Sequence, residues 1–343
     1  MVEHKKVIQT WISWLRILAT MAVVMLHTSS SLTGNLDIFN LTYGELVYLT
    51  SVQRLCMWSV PVFFMITGAL LLRPEKKITY ETCLKKYAAR ITGCLFLFGT
   101  VFAAMKIVYL QPVGGGKSLI INSLYSVFSG ESFDHLWYLY ALIGIYMILP
   151  ILKAFVNSDV DGRNIRWALL LLMTFAFVVP FIEELTGGDI AFHIPMTYTV
   201  FYLLLGHYLN CHQTLNMWVD VVVVIIFACL FAGAEIIGLG GIKTYYSSPV
   251  TAVFSAFIFK LFRHLKARGN VERLWKIDRL CFGVYLIHPI FIHLSYRVLG
   301  LTPVSFRGLY PLTTFVFCLI FAFCSFIGTW VMIQIPFIKR LIN

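Results

Sequence analysis

Apolar runs long enough to cross a lipid bilayer recur along the whole 343-residue chain, and they constrain its fold more than any other feature. A transmembrane helix needs about 20 consecutive, mostly apolar residues, because it rises about 1.5 Å per residue through a hydrocarbon core about 30 Å thick. Charged residues make up 13% of the chain, against about 25% in soluble domains. The sequence therefore predicts an all-α membrane protein and excludes a water-soluble enzyme.

Ten such runs are present, which predicts a bundle of about ten transmembrane helices. The first run contains Arg16 and has no small-residue cleavage site, so it is interpreted as a membrane helix and not as a signal peptide. We expect a single integral-membrane domain over residues 1–343, without a fused extracytoplasmic domain. The runs cover residues 11–32, 52–72, 91–110, 136–156, 165–185, 197–210, 217–237, 247–262, 280–298 and 310–334.

The distribution of Lys and Arg predicts the orientation, because cytoplasmic loops collect positive charge. With the N-terminus inside, 20 of the 27 Lys and Arg residues fall in inner segments, four fall in outer loops, and Arg16, Arg54 and Lys106 lie within runs. This bias predicts a multi-pass protein of the cytoplasmic membrane with both termini in the cytoplasm. It also accounts for the net charge of +11 by contact with membrane lipids, without nucleic acid as a partner.

The eight cysteines follow neither a zinc-binding nor a disulfide pattern. Six of them lie in or beside apolar runs, where small apolar side chains are usually buried, and Cys83 and Cys211 lie on the predicted inner side. No metal site is predicted.

Ionisable residues inside apolar runs mark candidate functional sites, because a charge at membrane depth is costly and usually faces a polar cavity. Arg16 and His27 are eleven positions apart in the first run. On a helix this spacing places both on one face, separated by about 16 Å along the axis. Each has a structural alternative, because Arg16 can reach back to lipid headgroups and His27 can bond to a neighbouring helix. Their common face favours a shared site.

A separation of this size suits an elongated substrate with an anionic end and a reactive end. Acyl-coenzyme A has this form: Arg16 would bind its phosphates, and His27 would act as the general base near its thioester. A lipid-linked phosphate would suit Arg16 equally well.

Five segments together resemble the membrane acyltransferase 3 family, in the order in which the family has them. The first is Trp14-Leu15-Arg16, followed after ten residues by His27. The second is Arg54 with the motif over 59–68, which ends in Thr67-Gly68 where the family usually has Ser-Gly. The other three are 135–139, which runs on to Tyr146 and Pro150; 202–206; and Gly283-Val284-Tyr285-Leu286-Ile287-His288-Pro289.

The resemblance implies transfer of an acyl group, most often acetyl, from acyl-coenzyme A to a hydroxyl of a cell-surface polysaccharide or another envelope glycan. His27 matches the essential histidine of the family, and Arg16 matches its partner. The acceptor would be an envelope sugar or a lipid-linked glycan. The chain is similar to the stand-alone enterobacterial common antigen type, which completes the transfer itself; the alternative is a separate extracytoplasmic protein that accepts the acyl group.

Arg54 has two interpretations. It lies early in the second run, at the expected depth of His27, and could stabilise the oxyanion of an attacked thioester. The alternative is an ion pair across helices, with Glu45 or Asp134. Asp220 and Glu235 lie near the two ends of the seventh run and could mark an ion path. Because the sequence shows no buried partner for either, we expect both at the membrane interface.

His135, Trp137 and Tyr138 are expected at the outer mouth of the fourth run, where they could orient and stack on an acceptor sugar. An interfacial aromatic belt explains the two aromatic residues equally well. Tyr285 and His288 lie three positions apart on one face of the ninth run. They are candidates for substrate binding, with a hydrogen-bonded core pair as the alternative.

A different class of function also fits ten helices with intramembrane Arg and His: transport of a small molecule. Related membrane domains fused to serine racemases in vancomycin resistance have been linked to amino-acid uptake. No inverted repeat and no matched pair of broken helices is visible in the sequence, which disfavours a transporter. Dependence on an acyl donor would distinguish the two classes.

Overall fold

The computed structural model describes residues 2–110, 117–188, 197–212, 216–237, 244–265, 271–306 and 308–342. Several of the loop cations used for the orientation, Lys243 and Arg307 among them, lie outside these ranges. Within them every regular element is a helix, which confirms the all-α prediction. The α-helices are α1 Val2–Thr33, α2 Tyr43–Cys56, α3 Ser59–Leu71, α4 Ala89–Leu110, α5 Lys117–Phe128, α6 Trp137–Ser158, α7 Arg163–Met173, α8 Val179–Thr186, α9 Tyr198–Cys211, α10 Met217–Gly233, α11 Pro249–Arg263, α12 Val271–Asp278, α13 Cys281–His293, α14 Tyr310–Met332 and α15 Pro336–Ile342.

Three π-helical segments continue or precede these helices, over Thr82–Ala88, Thr174–Val178 and Leu294–Val298. Two short 3₁₀ turns lie at Asp134–Leu136 and Pro303–Ser305.

Each of the ten predicted runs contains helix, and seven helical segments in the described ranges are long and apolar enough to cross a membrane. The other three predicted spans are α9, α10 and α11, with 14, 17 and 15 residues. At about 1.5 Å per residue they are shorter than a hydrocarbon core of about 30 Å. The chain is thus a multi-pass membrane protein, whereas the count of ten spans and the cytoplasmic termini stay predictions. The seven segments are Thr10–Thr33, Tyr43–Leu71, Thr82–Val108, Asp134–Ser158, Arg163–Thr186, Cys281–Ser305 and Tyr310–Met332.

The second span differs from its prediction because it begins earlier and is broken. Thr42 and Glu45 form a capping box that starts α2 well before the apolar run. The helix is interrupted between Cys56 and Ser59, just before Pro61. Proline has no N–H to donate, and its ring clashes with the carbonyl four residues earlier, so it restarts the helix rather than continuing it.

The chain divides into two compact units. Unit 1 comprises residues 1–73 and 160–330, and unit 2 comprises residues 74–159 and 331–343. The prediction of one domain over residues 1–343 stays a prediction.

Glycines of two family motifs allow α3 and α9 to pack backbone against backbone in unit 1. A Cβ added at Gly68 would lie 1.8 Å from the Leu203 carbonyl oxygen, and one at Gly206 would lie 2.1 Å from the Met65 carbonyl oxygen. Any larger residue would force the helices apart. Close packing therefore explains the glycines at these two positions, which allow α3 and α9 to lie in direct contact.

One hydrophobic core of unit 1 brings together four helices: α1, α2, α13 and α14. This core fixes how α1 lies against α13, which is the interface that carries the candidate site. Its buried members are Val24, Leu32, Leu49, Val284, Ile292, Tyr296, Cys318, Phe321 and Ala322.

Candidate functional site

His27 and His288 meet at the interface between α1 and α13. Their ring centroids are 5.1 Å apart and the ring planes are inclined at 45°. His288 is fully buried, and His27 is partly buried. Tyr296, eight residues after His288 in the π-helical segment that follows α13, donates a hydrogen bond from its hydroxyl to the carbonyl oxygen of Thr28 at 3.0 Å. Thr28 is the neighbour of His27, so this bond ties the same two chain segments together. Two histidines that the sequence places 261 positions apart therefore form one pair.

The backbone of α13 defines the tautomer of neutral His288. Its Nδ1 lies 2.8 Å from the Tyr285 carbonyl oxygen and 3.1 Å from the Val284 carbonyl oxygen. A carbonyl can only accept, so Nδ1 is the protonated nitrogen and Nε2 carries the lone pair when the ring is neutral. The centroid of the Tyr285 ring lies 6.3 Å from that of His288, so the two residues predicted in the ninth run are close to each other.

Arg16 forms an ion pair with Asp278, the last residue of α12. Arg16 Nη1 lies 2.7 Å from Asp278 Oδ1 and 2.8 Å from Oδ2. Ser13, one turn earlier on α1, donates to Oδ2 at 2.8 Å. The Arg16 side chain is 27% exposed and that of Asp278 is 12% exposed, so a partly accessible guanidinium stands beside a nearly buried carboxylate.

These two contacts show that α1 and residues 278–288 run parallel. Arg16 meets residue 278 and His27 meets residue 288, so the sequence numbers rise together along both segments. Helix α1 is unbroken between Arg16 and His27, which keeps them about 16 Å apart along its axis. The structure thus places both predicted residues toward the same partner segment.

Arg54 forms an ion pair with Glu235, which follows α10. The distance between Arg54 Nη2 and Glu235 Oε1 is 2.8 Å, and the Arg54 side chain is 7% exposed. Neither partner suggested by the sequence is used in this pair. Glu45 instead accepts from the backbone and hydroxyl of Thr42 in the capping box of α2. The pairing favours the interpretation of Arg54 as a residue that joins helices.

A hydrogen bond next to Arg54 links α2 to α1. Gln53, the neighbour of Arg54, donates to the Thr33 hydroxyl at 2.8 Å. Thr33 lies six residues after His27, which is about 9 Å further along α1. This contact joins α2 to the C-terminal end of α1, and the expected depth of Arg54 relative to His27 stays a prediction.

The remaining candidates, His135, Trp137 and Tyr138, belong to unit 2. His135 is 3% exposed and packs edge-on against the rings of Phe102 and Phe133, at 4.9 and 5.3 Å between centroids. Tyr138 is buried, and Trp137 is partly buried with its ring 6.3 Å from that of Tyr138. These contacts place His135 within an aromatic cluster of this unit.

The structure corrects the expectation that Asp220 and Glu235 are interfacial groups without partners. Asp220 has no exposed surface; its oxygens lie 2.6 Å from Lys260 Nζ and 2.9 Å from His264 Nε2. Glu235 is the partner of Arg54. The buried carboxylate of Asp220 requires a compensating charge, which Lys260 supplies. Glu235, whose side chain is 23% exposed, is paired as well.

Asp278 is the residue of the α1–α13 region that the sequence reasoning missed. The only signal for it is an acid in a strongly basic segment that is predicted to be on the inner side, two residues before the ninth run begins. Within the ranges that the structure describes, no group of three or more His, Cys, Asp or Glu side chains is arranged to hold a metal ion.

Comparison with protein families gives a match over nearly the whole chain. The family described as an acyltransferase domain, the acyltransferase 3 family, matches residues 9–333. Searches of curated proteins and of solved structures returned no match. The matched region contains both histidines of the pair, Arg16 and Asp278. The chain therefore belongs to the acyltransferase 3 family of membrane acyltransferases.

Proposed function

We propose that this membrane acyltransferase moves an acetyl group from acetyl-coenzyme A to a hydroxyl of an envelope glycan. The observation that carries the proposal is that Arg16 and His27 of α1 both face residues 278–288. One interface thus offers a partly exposed cation at one end and, about 16 Å away, an imidazole pair in which His288 is buried and His27 is partly buried. This arrangement suits a long thioester with phosphates at its far end. The family resemblance supports acetyl and the glycan acceptor.

In the proposed reaction, His27 accepts the proton of the acceptor hydroxyl while the hydroxyl oxygen attacks the thioester carbonyl carbon. The C–O bond forms, the C–S bond breaks, and the leaving thiolate receives the proton from the His27 imidazolium. A two-step route through acyl-His27 has the same balance, because the acceptor oxygen then displaces the imidazole. Arg16 binds the donor phosphates in either route.

His288 contributes to this mechanism by its position. Its Nδ1 is committed to backbone carbonyls, so its ring presents Nε2 as an acceptor in the neutral form. We assign it, with Tyr285, to the surroundings that orient His27 and the acyl group. The oxyanion role of Arg54 and the acceptor-binding roles of His135, Trp137 and Tyr138 stay predictions.

Replacement of His27 tests the proposal. We expect His27→Ala to lower the rate of acetyl transfer at least about 100-fold, because loss of a general base or nucleophile typically costs that much. The measurement is release of the coenzyme A thiol, and transfer of labelled acetyl, by protein purified in lipid nanodiscs. His293→Gln on α13 is the matched control, and it should keep the wild-type rate.

The acceptor is tested in cells by deletion of the gene, followed by mass spectrometry of the envelope glycans. An acetyl ester that disappears on deletion should return with the wild-type gene and not with His27→Ala. Full activity of His27→Ala at saturating donor would refute its assigned role. Uptake of a small molecule that is indifferent to acetyl-coenzyme A would favour the transporter alternative.

A further inference from the structure

Asp278 has no role in the proposed reaction, although it makes the closest contact of Arg16. Both contacts of the pair, at 2.7 and 2.8 Å, reach the same nitrogen, Nη1. A guanidinium has five N–H donors in a rigid, planar fork. Asp278 therefore engages only one corner of the fork and leaves Nε and Nη2 outside the pair. Because 27% of the Arg16 side chain is exposed, these donors can reach a bound anion.

Ser13 fixes the other end of this arrangement. Its hydroxyl donates to Asp278 Oδ2 at 2.8 Å, and it lies three residues before Arg16 on the same face of α1. The carboxylate is thus held between two side chains of one helix turn. Its own 12% exposure means that little of it faces solvent. The geometry orients the carboxylate toward Arg16 rather than toward a ligand.

We propose that Asp278 is a positioning residue that holds Arg16 so that Nε and Nη2 bind a phosphate oxygen of the acyl donor. The proposal rests on the acyl-coenzyme A function proposed above. An arginine side chain loses rotamer entropy when a ligand orders it, and an arginine that is already held loses less. Asp278 would thereby strengthen donor binding even though its own charge is negative. A carboxylate that merely competed with the phosphate would have the opposite effect.

The first test is Asp278→Asn, which keeps the size of the side chain and removes its charge. We expect the KM for acetyl-coenzyme A to rise about tenfold, with kcat within about twofold of wild type, because ground-state and transition-state binding of the distant phosphates are lost equally. Asp278→Glu should restore part of the affinity. An unchanged or lower KM for Asp278→Asn would overturn the proposal.

A double-mutant comparison separates positioning from general structural support. If Asp278 acts through Arg16, Asp278→Asn should change KM in the wild-type background and have no further effect in an Arg16→Ala background. A structural role would lower activity by the same factor in both backgrounds, and this additivity would contradict the proposal. Glu272→Gln is the control on the same helix, because the side chain of Glu272 is 76% exposed and pairs with Lys276.

Binding of coenzyme A, measured by calorimetry on the purified protein, distinguishes failure of this proposal from failure of the proposed function. A wild-type protein that neither binds coenzyme A nor releases it from acetyl-coenzyme A would refute the proposed function. A wild-type protein that binds it, with Asp278→Asn equally tight, would refute the positioning role alone. If Asp278→Asn does not accumulate, Ser13→Ala replaces it. A weaker affinity of Ser13→Ala than of wild type for coenzyme A supports the proposal, and an unchanged affinity overturns it.

Discussion

Two ion-paired clusters in unit 1 use the same kinds of residues in different surroundings. Arg16 and Asp278 are 27% and 12% exposed, whereas Lys260 and Asp220 are 9% and 0% exposed. The clusters lie near one another along the fold, since Trp11 of α1 packs edge-on against Phe259 of α11 at 5.2 Å. The comparison teaches that burial decides what an ion pair can do. Here the partly exposed Arg16 is open to a ligand, whereas the buried Lys260 holds two helices together.

The buried cluster joins the beginning of α10 to the end of α11. Asp220 accepts from Lys260 and contacts His264, and the Lys260 ammonium lies 4.1 Å from the centre of the Phe257 ring. Each charge has a partner, and the aromatic face adds a favourable contact with the cation. The Lys260 side chain is only 9% exposed and its ammonium is already paired with Asp220, so we interpret this cluster as structural.

The largest expected effect is on stability, from Asp220→Asn. Removing one partner leaves the Lys260 charge buried without compensation, which typically costs about 3–5 kcal/mol. The free energy of unfolding, measured by denaturant titration in mixed micelles, should fall by that amount, while the donor KM of the folded fraction stays at the wild-type value.

The control for this prediction replaces both partners, as Asp220→Leu with Lys260→Met. A well-packed apolar pair is often as stable as the ion pair that it replaces, so the double variant should recover most of the loss. If Asp220→Asn raised the donor KM and left stability unchanged, the division between a binding pair and a structural pair would be wrong.

A smaller effect is expected from salt. Raising the ionic strength from about 0.05 to 0.5 M shortens the screening length severalfold, which weakens interactions of exposed charges much more than those of buried ones. The KM for acetyl-coenzyme A should therefore rise severalfold, and the unfolding midpoint should change little. Arg16→Ala should flatten the salt dependence; a salt response that persists undiminished in this variant would assign donor binding to other cations.

The smallest effect belongs to the exposed pair of Glu272 with Lys276 on α12, whose side chains are 76% and 71% exposed. The hydrogen bond and then the charge of Lys276 lower the pKa of Glu272 from its ordinary 4.5. A lowered folded-state pKa stabilises the protein above the unfolded pKa, and this contribution is lost as pH falls through the folded value. Because solvent screens the pair, Glu272→Gln should leave both the unfolding midpoint at neutral pH and the donor KM unchanged. A measurable change in either would mean that α12 matters beyond Asp278.

Much of the fold can be predicted because apolar runs and helical period are local properties of the chain. Helix α1 illustrates this: its apolar run predicted a helix, and the spacing of Arg16 and His27 placed them on one face. Both then turned out to face the segment that contains the ninth-span motif. The break before Pro61 is also a local effect, although the composition of the run concealed it.

The charge partners could not be predicted in this way, because they depend on which helices become neighbours. Asp278 is 262 positions from Arg16, in a short helix within a basic segment that reads as a loop. Glu235 lies far along the chain from Arg54, and Lys260 lies 40 positions from Asp220 with a loop between them. Without knowledge of the packing, the acids that compensate these cations cannot be chosen among the sixteen that the chain contains.

The unbroken course of α1 has a consequence for how this protein can vary. Each residue of a helix adds about 100° of rotation and 1.5 Å of rise, so one inserted residue between Arg16 and His27 would turn them onto different faces. Substitutions along this stretch change one contact at a time, whereas a change in length would separate the cation from the imidazole pair at once. The distance between the two residues is therefore a fixed dimension of the molecule, and the proposed reaction requires the number of residues between them to stay the same.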